Sequence, residues 1–181
     1  LWIPCFFLLS RYMIKYNFLL VIFIYLGVSL LLTYYILKLS SHELVPILIP
    51  TLITLILLVF DLWTGGNFIK LSILGYSPVI GARFYGLGNE FMGIIVGVGL
   101  IGLIALREVN KKISINSLLI FFIFLILTIG HPKLGANFGG LLTATIVFST
   151  VFFRLKGYQF DLHLIVKLVI IMIVIVSIVV S

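Results

Sequence analysis

Long apolar runs, separated by short polar gaps, organise this chain from end to end. Six runs stand out: Phe18–Leu37, Leu44–Trp63, Phe91–Leu106, Ile113–Ile129, Phe138–Phe153 and Leu164–Val180. A helix that crosses the hydrocarbon core of a bilayer needs about 20 mostly apolar residues. Many residues in these runs are β-branched, which in water favours strands. In lipid the backbone must satisfy its own hydrogen bonds, so helices win. A transmembrane barrel would alternate polar and apolar residues, and these runs do not. The pattern predicts an all-α, polytopic transmembrane helical bundle of about six spans, with residues 1–181 forming a single transmembrane domain. Pro46 and Pro50 fall in the first turns of the second span, where proline is tolerated; a kink is expected at Pro50.

Composition sharpens this reading. The chain is 63% hydrophobic and 9% charged, against about 45–50% and about 25% in soluble domains. A soluble fold of this size cannot hide so much apolar surface, and disorder requires low hydrophobicity. The net charge is +7. Its basic residues sit in the gaps between apolar runs, as membrane orientation signals do, so membrane lipids and not nucleic acid are the expected partners. A single cysteine, Cys5, excludes an intrachain disulfide and a cysteine-based metal site. Zincin, Walker A and nucleophile-elbow motifs are absent from the sequence. No metal site is expected, and the residues indicate no particular cofactor. The chain begins at Leu1 and stops within an apolar run, which reads as part of a longer protein.

Alternating the spans places Arg11, Lys15, Lys70, Arg83 and Lys133 on one side. Lys38, Arg107, Lys111, Lys112, Arg154 and Lys156 lie on the other. Lys70, Arg83 and Lys133 belong to glycine-rich stretches that look functional. Setting them aside leaves the excess of positive charge on the second side, which is therefore expected to be cytoplasmic. The glycine-rich stretches then share the outward face of a multi-pass membrane protein.

The first stretch runs from Asp61 to Gly93 and the second from Gly130 to Gly140. The first is too polar for lipid and too apolar for a solvated loop. Phe68 to Leu74 is expected to form a short interfacial or partly re-entrant helix, since irregular backbone at membrane depth must line protein or a wet cavity. Leu87 to Gly93 matches Leu134 to Gly140 at four of seven positions. Each match opens a span, which suggests a two-helix repeat over 84–130 and 131–177.

Helix starts leave backbone N–H groups unpaired and attract anions. Asn89 and Asn137 are suited to cap such starts. Arg83 offers a planar fork for phosphate or carboxylate and Lys133 a point charge; Tyr85 is a candidate wall of the same site. Asn89, Asn137, Arg83, Lys133 and Tyr85 are therefore the candidate substrate-binding residues. Asp61, Glu90 and His131 are the candidate proton-transfer residues, because ionisable groups near the membrane mark function and His titrates near neutrality. Each has a structural alternative: an ion pair, complementation of a helix dipole, or a polar cap on a helix end.

These stretches carry a resemblance. Asp61-Leu62-Trp63-Thr64-Gly65, Gly75-Tyr76-Ser77-Pro78, Ala82-Arg83-Phe84 through Asn89, and Gly130 to Gly140 follow one another in order. The set resembles that of an uncharacterised family of polytopic membrane proteins from Gram-positive bacteria. Ala82 stands where that pattern has glycine. The resemblance covers about a third of the chain, implies a bacterial cytoplasmic membrane, and supplies no mechanism.

Three functions stay open. One is a membrane enzyme acting on an anionic, lipid-linked envelope substrate. Another is a transporter or flippase for an anionic substrate. The third is a membrane anchor for a soluble domain. The scarcity of polar residues deep in the spans, with Thr33, Thr54, Thr145 and Ser149 the main ones and none ionisable, favours a surface site.

Overall fold

The computed structural model describes residues 1–9, 18–72, 74–75, 86–159 and 161–180. Every regular element among them is an α-helix: α1 (Ile3–Leu9), α2 (Phe18–Leu39), α3 (Val45–Trp63), α4 (Asn67–Leu71), α5 (Asn89–Val109), α6 (Ile115–Gly130), α7 (Phe138–Leu155) and α8 (Leu162–Val180). The all-helical class agrees with the apolar pattern. Four helices, α2, α3, α5 and α7, are long and apolar enough to cross a membrane. Of the other two apolar runs, one forms α6, of 16 residues, and the other α8, apolar over Leu162–Ile178. At 1.5 Å per residue, α6 is only about 24 Å long, against a hydrocarbon core of about 30 Å.

Local chemistry sets several boundaries. Pro46 lies in the first turn of α3, where its missing N–H is not needed. Pro50 lies inside α3, which continues past it to Trp63. Ser114 caps α6 by accepting the Ser117 N–H at 3.0 Å. Thr51, Thr54 and Thr145 are buried, and each hydroxyl donates to a carbonyl four residues back in its own helix. The polarity of Thr51 and Thr145 is thus consumed within the helix, while Thr54 also bonds the Cys5 thiol of α1 at 2.8 Å.

The core lies between α3, α5, α6 and α7. Leu58, Phe91, Ile95, Leu118, Ile129 and Leu141 are fully buried there. Phe122 of α6 stacks on Phe148 of α7, with centroids 4.7 Å apart. Close approach of α3 and α5 depends on small residues, as in other membrane bundles. A Cβ on Gly102 would meet the Thr51 hydroxyl at 3.0 Å. By contrast α2 exposes Leu20, Phe23, Leu30, Leu31 and Tyr35 along its length. Such a surface belongs against lipid.

Two long-range bonds define one end of the bundle. The Trp63 indole donates to the Thr128 hydroxyl at 3.4 Å, and the Leu87 N–H donates to the Gly135 carbonyl at 2.6 Å. The C-termini of α3 and α6 therefore meet the N-termini of α5 and α7. The described parts of both glycine-rich stretches share this end. The opposite end carries the 40–44, 110–114 and 156–159 segments.

Candidate functional site

Asn137 is the centre of the glycine-rich end. It is the N-cap of α7, 2% exposed, and its Oδ1 accepts the Gly140 N–H at 2.7 Å. Its Nδ2 donates to the Leu87 carbonyl at 2.9 Å and to Asn89 Oδ1 at 3.2 Å. One buried amide thus closes a helix end and ties together loops about 50 residues apart in sequence. Both amide hydrogens are used inside the protein, so Asn137 acts on a ligand through the loops it holds.

The backbone around it is tightly fitted. Gly135 donates to the Thr128 carbonyl at 2.9 Å, and Asn137 N–H to the Ile129 carbonyl at 3.1 Å. Ala136 takes a positive φ of 47° to make this turn. Gly86 has φ 91°, and a Cβ there would lie 2.5 Å from the Gly135 carbonyl oxygen. Only glycine meets both demands.

Asn89 corrects one expectation. Gly88, in an extended conformation, is the N-cap of α5 and makes no side-chain cap bond. Asn89 is the first helical residue, and its side chain is turned to Asn137. The internal sequence match also runs out of step with the helices. It pairs Asn89 with Ala136, yet α7 begins at Phe138, two residues later.

His131 and Lys133 are exposed beside this clamp. The His131 Nδ1 accepts the Lys133 N–H at 3.1 Å, and Nε2 has no hydrogen-bond partner among the described residues. The His131 carbonyl accepts from Leu134 at 2.9 Å and from Ala136 at 3.1 Å. The loop is therefore pinned at both ends while its His131 and Lys133 side chains stay exposed. Glu90, in the first turn of α5, is also exposed, and it has no ion-pair partner among the described residues. Its placement suits the positive end of the helix dipole.

Asp61 sits at the same end but works differently. It is 3% exposed. Oδ1 accepts the Phe68 N–H at 3.0 Å, and Oδ2 accepts the Ile69 N–H at 2.8 Å. These are first-turn N–H groups of α4, so Asp61 satisfies the start of that short helix and fixes it under α3. The Gly66 N–H bonds the Asp61 carbonyl at 2.7 Å, completing the turn. Lys70 folds back onto the Gly65 carbonyl at 2.8 Å. The short helix expected over Phe68 to Leu74 is present as Asn67–Leu71.

Arg83 and Tyr85 lie outside the described residues. The structure thus brings Asn89, Asn137, His131 and Lys133 into one cluster with Glu90 at its edge, and it assigns Asp61 to a separate cap. Sequence reasoning missed Thr128. Its carbonyl holds Gly135 and its hydroxyl receives the Trp63 indole, so it joins the loop to α3. A lone threonine in an apolar run gives no signal of such a role. No group of three or more potential metal ligands occurs among the described residues. No protein-family model, curated protein or solved structure matches the chain.

Proposed function

We propose that this chain is a bacterial cytoplasmic-membrane protein whose glycine-rich face binds an anionic, lipid-linked envelope substrate and acts on it as an enzyme. The observation that carries this reading is the Asn137 clamp, which fixes two distant loops at one end of the bundle beside exposed His131 and Lys133. A lysine near a membrane surface attracts an anionic headgroup by about 1 kcal/mol. Arg83 and Tyr85 complete the binding set in this proposal, with Asn89 and Asn137 holding the frame. His131 is the proton carrier that the reading keeps, because Nε2 has no hydrogen-bond partner among the described residues while both Asp61 oxygens hold backbone N–H groups.

In the same proposal all six apolar helices span the bilayer, the glycine-rich end faces outward, and the sequence motifs mark kinship with the Gram-positive family. Transport is the weaker alternative, because Thr51 and Thr145 bond within their own helices and Thr54 bonds its own helix and the Cys5 thiol of α1. Orientation is tested in whole cells, on a Cys5→Ser background, with single cysteines at Lys133 and Lys111 and an impermeant thiol reagent. Labelling at 133 alone supports the outward face; labelling at 111 alone turns the protein over.

Headgroup binding is tested with short-chain, water-soluble phosphatidylglycerol against phosphatidylcholine of the same chain length. The anionic lipid is expected to bind more tightly, and Lys133→Gln to weaken it about fivefold. Equal binding of both lipids would remove the basis for an anion site.

A further inference from the structure

An apolar groove runs up to Trp63, at the same end of the bundle as the clamp. Between α3, α5 and α6 lies a groove of about 530 Å³, lined by Leu55, Ile56, Phe60, Trp63, Leu103 and Phe124 among others. Pockets that take small molecules run from about 300 to 1,000 Å³, so this one has room for more than a crevice-filling methyl group. The Trp63 indole N–H is the one polar atom contributed by these six side chains. On α3 the lining extends from Leu52 to Trp63, a rise of about 17 Å. One leaflet contributes about 15 Å to the hydrocarbon core. The groove therefore matches a single chain descending through one leaflet.

The upper end of the groove is continuous with the basic loop. Trp63 bonds the Thr128 hydroxyl, and the carbonyl of the same Thr128 bonds Gly135. His131 lies one turn beyond Thr128, with Lys133 next in the loop. A lipid phosphate at His131 and Lys133 would sit above the groove, with its chain directed into it. Charge complementarity at the mouth and apolar lining below select one class of occupant, an anionic lipid.

We infer that the groove holds a hydrocarbon chain of the anionic lipid whose headgroup meets Lys133 and His131. This rests on the headgroup reading above and adds the chain to it. Recognition is then bipartite: the charge selects the lipid, and the groove fixes its position relative to His131.

The test uses the full chain in phosphatidylcholine nanodiscs. Trp2→Phe leaves Trp63 as the sole tryptophan. Its fluorescence is followed while phosphatidylglycerol or phosphatidylcholine with brominated chains is introduced. Trp63 is expected to be quenched at about fivefold lower mole fraction of the anionic lipid. Lys133→Gln is expected to erase this preference. Ile56→Phe, at a position 64% exposed along the groove and so tolerant of bulk, is expected to reduce quenching by both lipids. Unchanged quenching in Ile56→Phe overturns the groove, as does equal quenching by the two brominated lipids while short-chain phosphatidylglycerol still binds preferentially. If the short-chain lipid also shows no preference, the headgroup reading falls first and the groove proposal falls with it.

Discussion

The two ends of the bundle solve the same problem in opposite ways. At the far end, charges and caps are satisfied by near neighbours in sequence. Arg107 pairs with Glu108 at 3.3 Å, Glu108 also meets Lys111, and Ser114 caps through Ser117. At the glycine-rich end the partners come from distant segments: Asn137 with Leu87 and Asn89, Gly135 with Leu87, Trp63 with Thr128. Local pairing makes a solvated edge that tolerates change. Long-range pairing makes a fixed frame, and a frame is what a ligand site needs.

The sharpest way to break this contrast is Asn137→Ala. It leaves the Gly140 N–H and the Leu87 carbonyl buried without that partner. Each lost partner costs about 1–3 kcal/mol, so a loss of about 3 kcal/mol is expected. Cys5 is the sole cysteine and is buried, so a thiol-reactive fluorogenic dye reports unfolding on heating. A melting curve unchanged from wild type would show that the loops are held without Asn137.

Gly86→Ala comes next. The positive φ and the Gly135 carbonyl together make a cost of about 2 kcal/mol the expectation. Gly93→Ala is its control. Nothing lies within 4 Å of a Cβ there, and alanine within a helix gains about 0.5–1 kcal/mol over glycine. Opposite signs at these two glycines would separate the glycine that closes the frame from the one that only lies in the helix. Equal small effects would refute the close approach at Gly86.

Asp61→Asn keeps one acceptor oxygen and turns an amide toward the other N–H. A loss of about 1–2 kcal/mol is expected in the same melt. Wild-type stability combined with lost activity would instead return Asp61 to the proton-transfer set. Glu108→Gln is expected to have the smallest effect, indistinguishable from wild type, because exposed pairs contribute little. A large shift there would erase the distinction between the two ends.

Much of this architecture was legible in the sequence. Apolar runs located the helices, because lipid leaves the backbone no alternative to internal hydrogen bonds. The glycine content flagged the 64–90 and 130–138 segments, whose described parts meet through Trp63–Thr128 and Leu87–Gly135. Boundaries were less legible. The third run reads from Phe91, yet α5 begins at Asn89, because polar residues can occupy a helix's first turn without any hydropathy signal. Asn137 was visible as a cap, but its grip on Leu87 and Asn89 was not. Which carbonyl an amide reaches depends on where another helix starts in space.

What the sequence by itself determined is the class, apolar helices of which four are long enough to cross a membrane, and the residue types available in the glycine-rich connections. Hydrophobicity and backbone satisfaction are local requirements, so local composition records them. The tertiary structure alone decided the use of each polar group. It made Asp61 the cap of α4, turned Asn89 toward Asn137, and made Thr128 the link between loop and groove. Hydrogen bonds are directional and short-ranged, so their partners are set by helix packing, which a linear pattern does not encode.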